Sequence, residues 1–360
     1  MTTEKSHSSF VEALCTEIRL RAAEYAALEP IETLYFGGGT PSLLRPDDLG
    51  RIIKTLNDEF DCGQVQETTI EVNPEDVTPE WLSAIRALGI DRLSIGIQSF
   101  FEADLRFMNR VHDAQQARKV IEMVREAGFD NFSIDLIFGL PEQPPEYWSA
   151  NLEIASSLGV PHISTYGLTV EDGTPLANKV ERGVVRTMDE GDMSDQFQFT
   201  MQYLVEQGYE HYEISSFARE GHRAVHNHRY WNHDNYLGFG PSAHSFWWNG
   251  LPAQRWANVR HLKRYEALVR QHVAPVDESE PLGLDTLADE YVMLRLRTAD
   301  GLDLDELETR YGVDLLVDRV EELAELETSG FIQPIRGDRV RLTDLGKTVC
   351  DTVTARLLPD

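Results

Sequence analysis

Between residues 32 and 168 the chain alternates strand and helix patterns, and this order limits its fold more than any other feature. Strand patterns occupy residues 32–36, 68–72, 92–97, 132–137 and 162–168. Helical stripes separate them. Leu49, Ile52, Ile53 and Leu56 form one, and Trp81, Leu82, Ile85 and Leu88 another. A third carries Ala117, Val120, Ile121 and Val124, and a fourth spans 146–158. Strands joined by crossover helices predict a parallel sheet covered outside by helices. Thr78 reads as a helix cap, with Pro79 at the first helical position and Gly89 as the stop; Asp113 reads as another cap. The chain opens with a helix (Val11, Leu14, Cys15, Ile18, Ala22 and Tyr25 on one stripe, with Ser9-x-x-Glu12 as its capping box) where a parallel barrel begins with a strand.

In parallel barrels the functional groups gather at the C-terminal ends of the strands. Here the first strand runs into Gly37-Gly38-Gly39-Thr40, where glycine lets the backbone approach a ligand closely. Glu71 lies near the end of the second, Gln98 ends the third with Arg110 beyond it, Asp135 lies near the end of the fourth, and Thr169 follows the fifth. Carboxylates, an amide, a guanidinium and backbone donors around one mouth suit a ligand bearing an ammonium, a carboxylate and a ribose. Taken singly, each group also fits a turn or a helix cap.

Four segments carry a resemblance. Tyr35-Phe36-Gly37-Gly38-Gly39-Thr40-Pro41-Ser42-Leu43-Leu44, Glu71-Val72-Asn73-Pro74, residues 92–100 and residues 134–141 are similar, in order, to the radical SAM proteins of the oxygen-independent coproporphyrinogen oxidase group. The resemblance implies an incomplete parallel (β/α)6 radical SAM barrel with a C-terminal winged-helix-like α+β module. It also implies that Gly38, Gly39, Thr40, Glu71, Gln98, Arg110, Asp135 and Thr169 line a pocket for S-adenosylmethionine.

A second constellation, His226-Asn227-His228-Arg229-Tyr230-Trp231, lies in a loop-rich stretch at 209–248 dense in histidine and aromatic residues. Imidazole ligates heme iron, and Tyr and Trp offer flat apolar surface to a porphyrin. Spacing alone leaves open a packed loop with solvated histidines, or a transition-metal site from His226, His228 and His233. The pattern His-Asn-x-x-Tyr-Trp resembles the signature of heme chaperones of the HemW type. That resemblance implies a heme site of His226, Asn227, Tyr230 and Trp231, and transfer of heme to an acceptor protein. The alternative is the oxidase itself, which decarboxylates coproporphyrinogen; the same signature disfavours it. A barrel metallohydrolase is more remote, because no strand ends in His-x-His.

Radical SAM chemistry uses three cysteines, spaced Cys-x-x-x-Cys-x-x-Cys after the first strand, to hold a 4Fe–4S cluster. The only cysteines here are Cys15, Cys62 and Cys350, with no such spacing, so the cluster expected for the family lacks its ligands. The absent strand and the absent cysteines fall in one block, which predicts an N-terminal truncation.

The expected division is a partial barrel at 1–170 without its first strand and cluster loop, a His/aromatic extension at 171–280, and a winged-helix-like domain at 281–360. In the last, a helix over 315–328 is expected, overlapping a recognition segment at 313–326. That segment carries Asp314, Asp318, Glu321, Glu322 and Glu325, which would repel phosphates. The whole chain carries a net charge of −28, which excludes nucleic acid as a natural partner. Its acids are spread evenly, as on a surface hydrated for high salt. No apolar run nears the roughly 20 residues of a membrane span, and a cytoplasmic protein is expected.

Overall fold

The computed structural model describes residues 4–358. Helix α1 (Glu4–Tyr25) leads into β1 (Thr33–Phe36), and α2 (Pro46–Glu59) crosses to β2 (Glu67–Val72). Helix α3 (Pro79–Ala87) follows, then β3 (Arg92–Gln98), α4 (Glu102–Phe107), α5 (Ala114–Glu126) and β4 (Asn131–Phe138). Local chemistry sets these limits. The Thr78 hydroxyl accepts from the Trp81 N–H at 3.2 Å, Pro79 begins α3, and Gly89 exits with φ +87°. Asp113 and Gln116 form a reciprocal capping box on α5, at 2.7 and 3.0 Å.

Helix α6 (Pro145–Ser157) and β5 (His162–Gly167) complete the parallel run. The chain then passes through α7 (Pro175–Glu181) and α8 (Glu190–Glu206) into two short strands, β6 (Glu210–Glu213) and β7 (Ser216–Ala218). The main sheet has the order β1-β2-β3-β4-β5-β7-β6, with β1 to β5 parallel and β7 antiparallel to both β5 and β6. The sheet thus runs on beyond residue 170, into a stretch expected to be loop-rich.

Each parallel strand alternates in character. Ile70, Val72, Leu93, Ile95, Phe132, Ile134, Leu136 and Ile163 are buried in one core cluster with the helices outside. The other face carries Glu67, Thr69, Arg92, Ser94, Ser133, His162 and Ser164, all buried. Parallel strands covered on both faces ordinarily read as unbroken apolar runs. Here the inner face is instead polar and buried, and its groups pair with one another, as Arg92 does with Glu67 at 3.7 Å and Ser133 with Ser94 at 3.1 Å.

Beyond the sheet, α9 (Val225–Trp231) precedes an antiparallel sheet of β8 (His244–Trp247), β9 (Ala253–Asn258) and, after α10 (Leu262–Arg270), β10 (Val276–Leu282). Helix α11 (Leu284–Leu296), β11 (Leu302–Asp303), α12 (Leu304–Tyr311), α13 (Leu315–Asp318), α14 (Val320–Thr328) and β12 (Arg339–Val340) form the terminal module, closed by α15 (Asp344–Thr348) and α16 (Cys350–Leu357). Strand β11 pairs with β12, and Ile332 bridges Leu342, giving helices followed by a small wing.

Two local expectations fail. The helix expected over 315–328 is broken at Arg319, whose φ of −131° and ψ of +30° are not helical. Ser9 is no cap, because α1 already runs through it; its hydroxyl instead donates to Glu266 at 2.9 Å and ties α1 to α10.

Candidate functional site

Among the described residues, strand β1 pairs with β2 on one side only. Beside it lies a cavity of about 1150 Å³, enclosed by α1, the 29–44 segment, α2, α9, the 234–244 loop and Trp247–Trp248. Its wall is rich in rings: Phe10, Tyr25, Tyr35, Phe36, Tyr230, Tyr236, Phe239 and both tryptophans.

His226 reaches this cavity from α9. The helix is held by Glu67 of β2, whose two carboxylate oxygens accept the Val225 and His226 N–H groups, each at 3.0 Å. An anion at a helix N-terminus satisfies donors left without intrahelical partners. Glu67 in turn faces Arg92 of β3 at 3.7 Å, with both side chains 2% exposed. The His226 ring stacks on Tyr35, with centroids 4.8 Å apart. Its Nδ1 meets the Thr33 hydroxyl at 2.8 Å, and its Nε2 meets the Tyr230 hydroxyl at 3.0 Å. Burial, aided by the Arg92 charge and opposed by Glu67, lowers its pKa to about 4. The ring is therefore neutral near pH 7, the form that ligates metals.

The other members of the motif turn elsewhere. Trp231 lies under the Arg297 guanidinium at 5.8 Å, away from the cavity wall, and Asn227 does not line the cavity either. His228 faces Asp300 at 3.4 Å; His233 bonds Tyr311 and Glu290 at 3.1 and 3.2 Å. The three histidines thus serve three separate places, which removes the transition-metal alternative. Among the described residues, no group of three His, Cys, Asp or Glu could hold a metal ion.

The glycine turn adjoins the same cavity, with Gly38, Gly39 and Thr40 in its wall. Gly38 and Gly39 have φ of +74° and +64°, a region other residues rarely adopt. Glu71 accepts the Tyr35 hydroxyl at 2.8 Å and the Gly38 N–H at 3.1 Å. At Gly37 a Cβ would lie 2.4 Å from the Tyr35 ring and 2.9 Å from Glu71, so only glycine fits without displacing that contact.

Two of the remaining strand-end groups, Gln98 and Arg110, meet over Gly96. A Cβ there would meet Arg110 Nη2 at 2.8 Å, Gln98 Nε2 at 3.0 Å and Asn73 Oδ1 at 3.7 Å. Arg110 donates to the Gly96 carbonyl at 3.2 Å, while its buried Nε has no hydrogen-bond partner among the described residues. Gln98 sits at φ +66°, where the β3–β4 register shifts, and such backbone strain persists only where the surroundings enforce it. Asp135 pairs in register with Ser164. Burial, then the Glu71 charge, pushes its carboxyl up to about 6, against hydrogen bonds from Ser164 and Ser94 and the charge of Arg92. Thr169 is exposed, its hydroxyl 3.5 Å from the Gly167 carbonyl.

The cysteines do not come together. Cys15 lies in α1 with Sγ 3.9 Å from the Arg51 carbonyl, Cys62 lies before β2, and Cys350 opens α16. These residues do not fit an iron–sulfur cluster.

The Radical SAM superfamily profile matches residues 10–155, and that of the HemN C-terminal domain matches 282–349. The protein named heme chaperone HemW from Mycobacterium tuberculosis is 34% identical over 346 residues, covering 96% of this chain and 85% of that one. This chain belongs to the HemW family. The HemW proteins of Lactococcus lactis and Bacillus subtilis are 29% and 30% identical, covering 100% and 91% of this chain and 92% and 86% of their own. The fold is a radical SAM fold. The solved coproporphyrinogen III oxidase (HemN) of Escherichia coli, described as a radical SAM enzyme, superposes with a TM-score of 0.82 at 25% identity, covering 99% of this chain and 84% of that one. Within this HemW-family chain, sequence reasoning missed Glu67, Arg92 and Thr33. The polar alternation in Glu67-Thr68-Thr69-Ile70 and Arg92-Leu93-Ser94-Ile95 was the signal for the first two. Thr33 had none.

Proposed function

We propose that this chain binds heme in the β1 cavity and hands it to an acceptor protein. The observation that carries this reading is a neutral imidazole, His226, presented on a large aromatic-lined cavity by a helix clamped to the barrel. The cavity gives the porphyrin apolar surface. Thr33 keeps Nδ1, and the iron takes Nε2 in place of the Tyr230 hydroxyl, as metal-bound histidines commonly keep a partner on the second nitrogen. Trp231, packed under Arg297, and Asn227 lie off the cavity wall and are not in our ligand set. The three unpaired cysteines suit the reducing cytoplasm. No described helix is long and apolar enough to cross a membrane.

The strand-end groups suit S-adenosylmethionine as a second ligand. Gly38, Gly39 and Thr40 offer backbone to its methionine end, Glu71 and Asp135 offer carboxylates, and Gln98 and Arg110 offer donors. Thr169 is the outlying member. The three cysteines do not fit a cluster. The likeness to the Escherichia coli oxidase favours one alternative, oxidative decarboxylation of coproporphyrinogen, which turnover of that substrate would reveal.

The test is a hemin titration of the purified chain. Binding shifts the Soret band, and His226→Ala weakens the shift while leaving the far-ultraviolet circular dichroism unchanged. A spectrum identical in the two proteins refutes His226 as the ligand.

A further inference from the structure

A porphyrin with propionate groups brings negative charge into a chain whose own net charge is −28. Those carboxylates need a cation at the cavity. Among the described residues, the cavity wall carries two guanidinium groups, Arg229 and Arg310. They are not equivalent. Arg229 is clasped by Glu32 on one side and by Asp234 at 3.1 Å on the other, so its charge is already balanced.

Arg310 comes from α12 of the terminal module. It has an ion pair with Glu306 one helical turn away, at 3.1 Å, with both side chains well exposed (38% and 41%). Pairs of this type are weakly held. The Tyr291 hydroxyl donates to the other Glu306 oxygen at 2.7 Å and fixes it. The guanidinium lies over the Trp248 ring at 4.5 Å and the Tyr311 ring at 5.3 Å, which orients its plane without using its N–H groups. A guanidinium has five such donors, and Glu306 takes one, leaving the fork able to donate to a second carboxylate.

We propose that Arg310 binds a propionate of the porphyrin, so that the terminal module reads the acidic edge of a ligand whose iron is held by α9. This rests on the heme reading above. Trp248 completes the recognition, since it lines the cavity and carries Arg310 on its ring.

The experiment compares hemin with hemin dimethyl ester, whose propionates are uncharged, by Soret titration of the full chain. The wild type binds hemin more tightly than the ester. Arg310→Gln lowers hemin affinity about tenfold, the scale of one charge-assisted hydrogen bond, and leaves the ester unchanged. Arg310→Lys restores part of the loss, because the charge returns without the fork. Equal binding of both ligands by Arg310→Gln and wild type overturns the proposal, and so does an equal loss for both ligands, which would mark a packing role. A wild-type chain that shifts neither spectrum refutes the heme reading itself, and the proposal with it.

Discussion

Asp135 shows how a single residue trades stability for a polar interior. Its carboxyl, raised to about 6 by burial and by Glu71, is ionised at pH 8 in surroundings that disfavour the charge. A raised carboxylate pKa means that the folded state holds its proton more tightly than the unfolded state. The penalty is therefore full above pH 6, shrinks as pH falls, and vanishes below the ordinary aspartate value near 4. Asp135→Asn is expected to raise the melting temperature at pH 8 by about 2 °C or more, with the gain fading between pH 6 and 4. A gain independent of pH would show that the charge is not its source. The position of Asp135 was legible from the strand pattern, but its raised pKa was not, because Glu71 lies on a different strand and reaches it only across the folded interior. His226 was legible for its chemistry, yet its partners Thr33 and Tyr35 lie 193 and 191 residues earlier in the chain, where no local spacing could announce them.

At the scale of elements, β2 and α9 depend on each other through Glu67. Periodicity and capping chemistry disclosed the five parallel strands and the caps at Thr78 and Asp113, because those signals are local. Helix α9 was not disclosed. It has seven residues, too short to be stable alone, and its first N–H groups are satisfied by a carboxylate from a distant strand. The break at Arg319 was hidden for a related reason: the apolar spacing of α13 and α14 continues across it. Glu67→Gln leaves buried Arg92 without its counter-charge and weakens the hold on α9. We expect a loss of about 3–5 kcal/mol in unfolding free energy, measured by urea denaturation, together with weaker hemin binding. A variant as stable as the wild type would mean that Glu67 is dispensable to this junction.

For the molecule as a whole, the charge of −28 is the dominant long-range term. Repulsion among surface carboxylates opposes compaction, and salt screens it over a Debye length that falls from about 10 Å at 0.1 M to about 3 Å at 1 M. The melting temperature is expected to climb when potassium chloride is raised from 0.1 to 1 M, followed by calorimetry; a fall would mean that attractive ion pairs outweigh the repulsion. Closer in, Tyr35 is common to both proposed sites. One face of its ring lies against His226, and its hydroxyl rests on the carboxylate that also holds Gly38. A guest that tilts this ring from one side changes the footing offered on the other. Linkage makes such an influence mutual, so whichever ligand arrives first sets the posture that the second one meets.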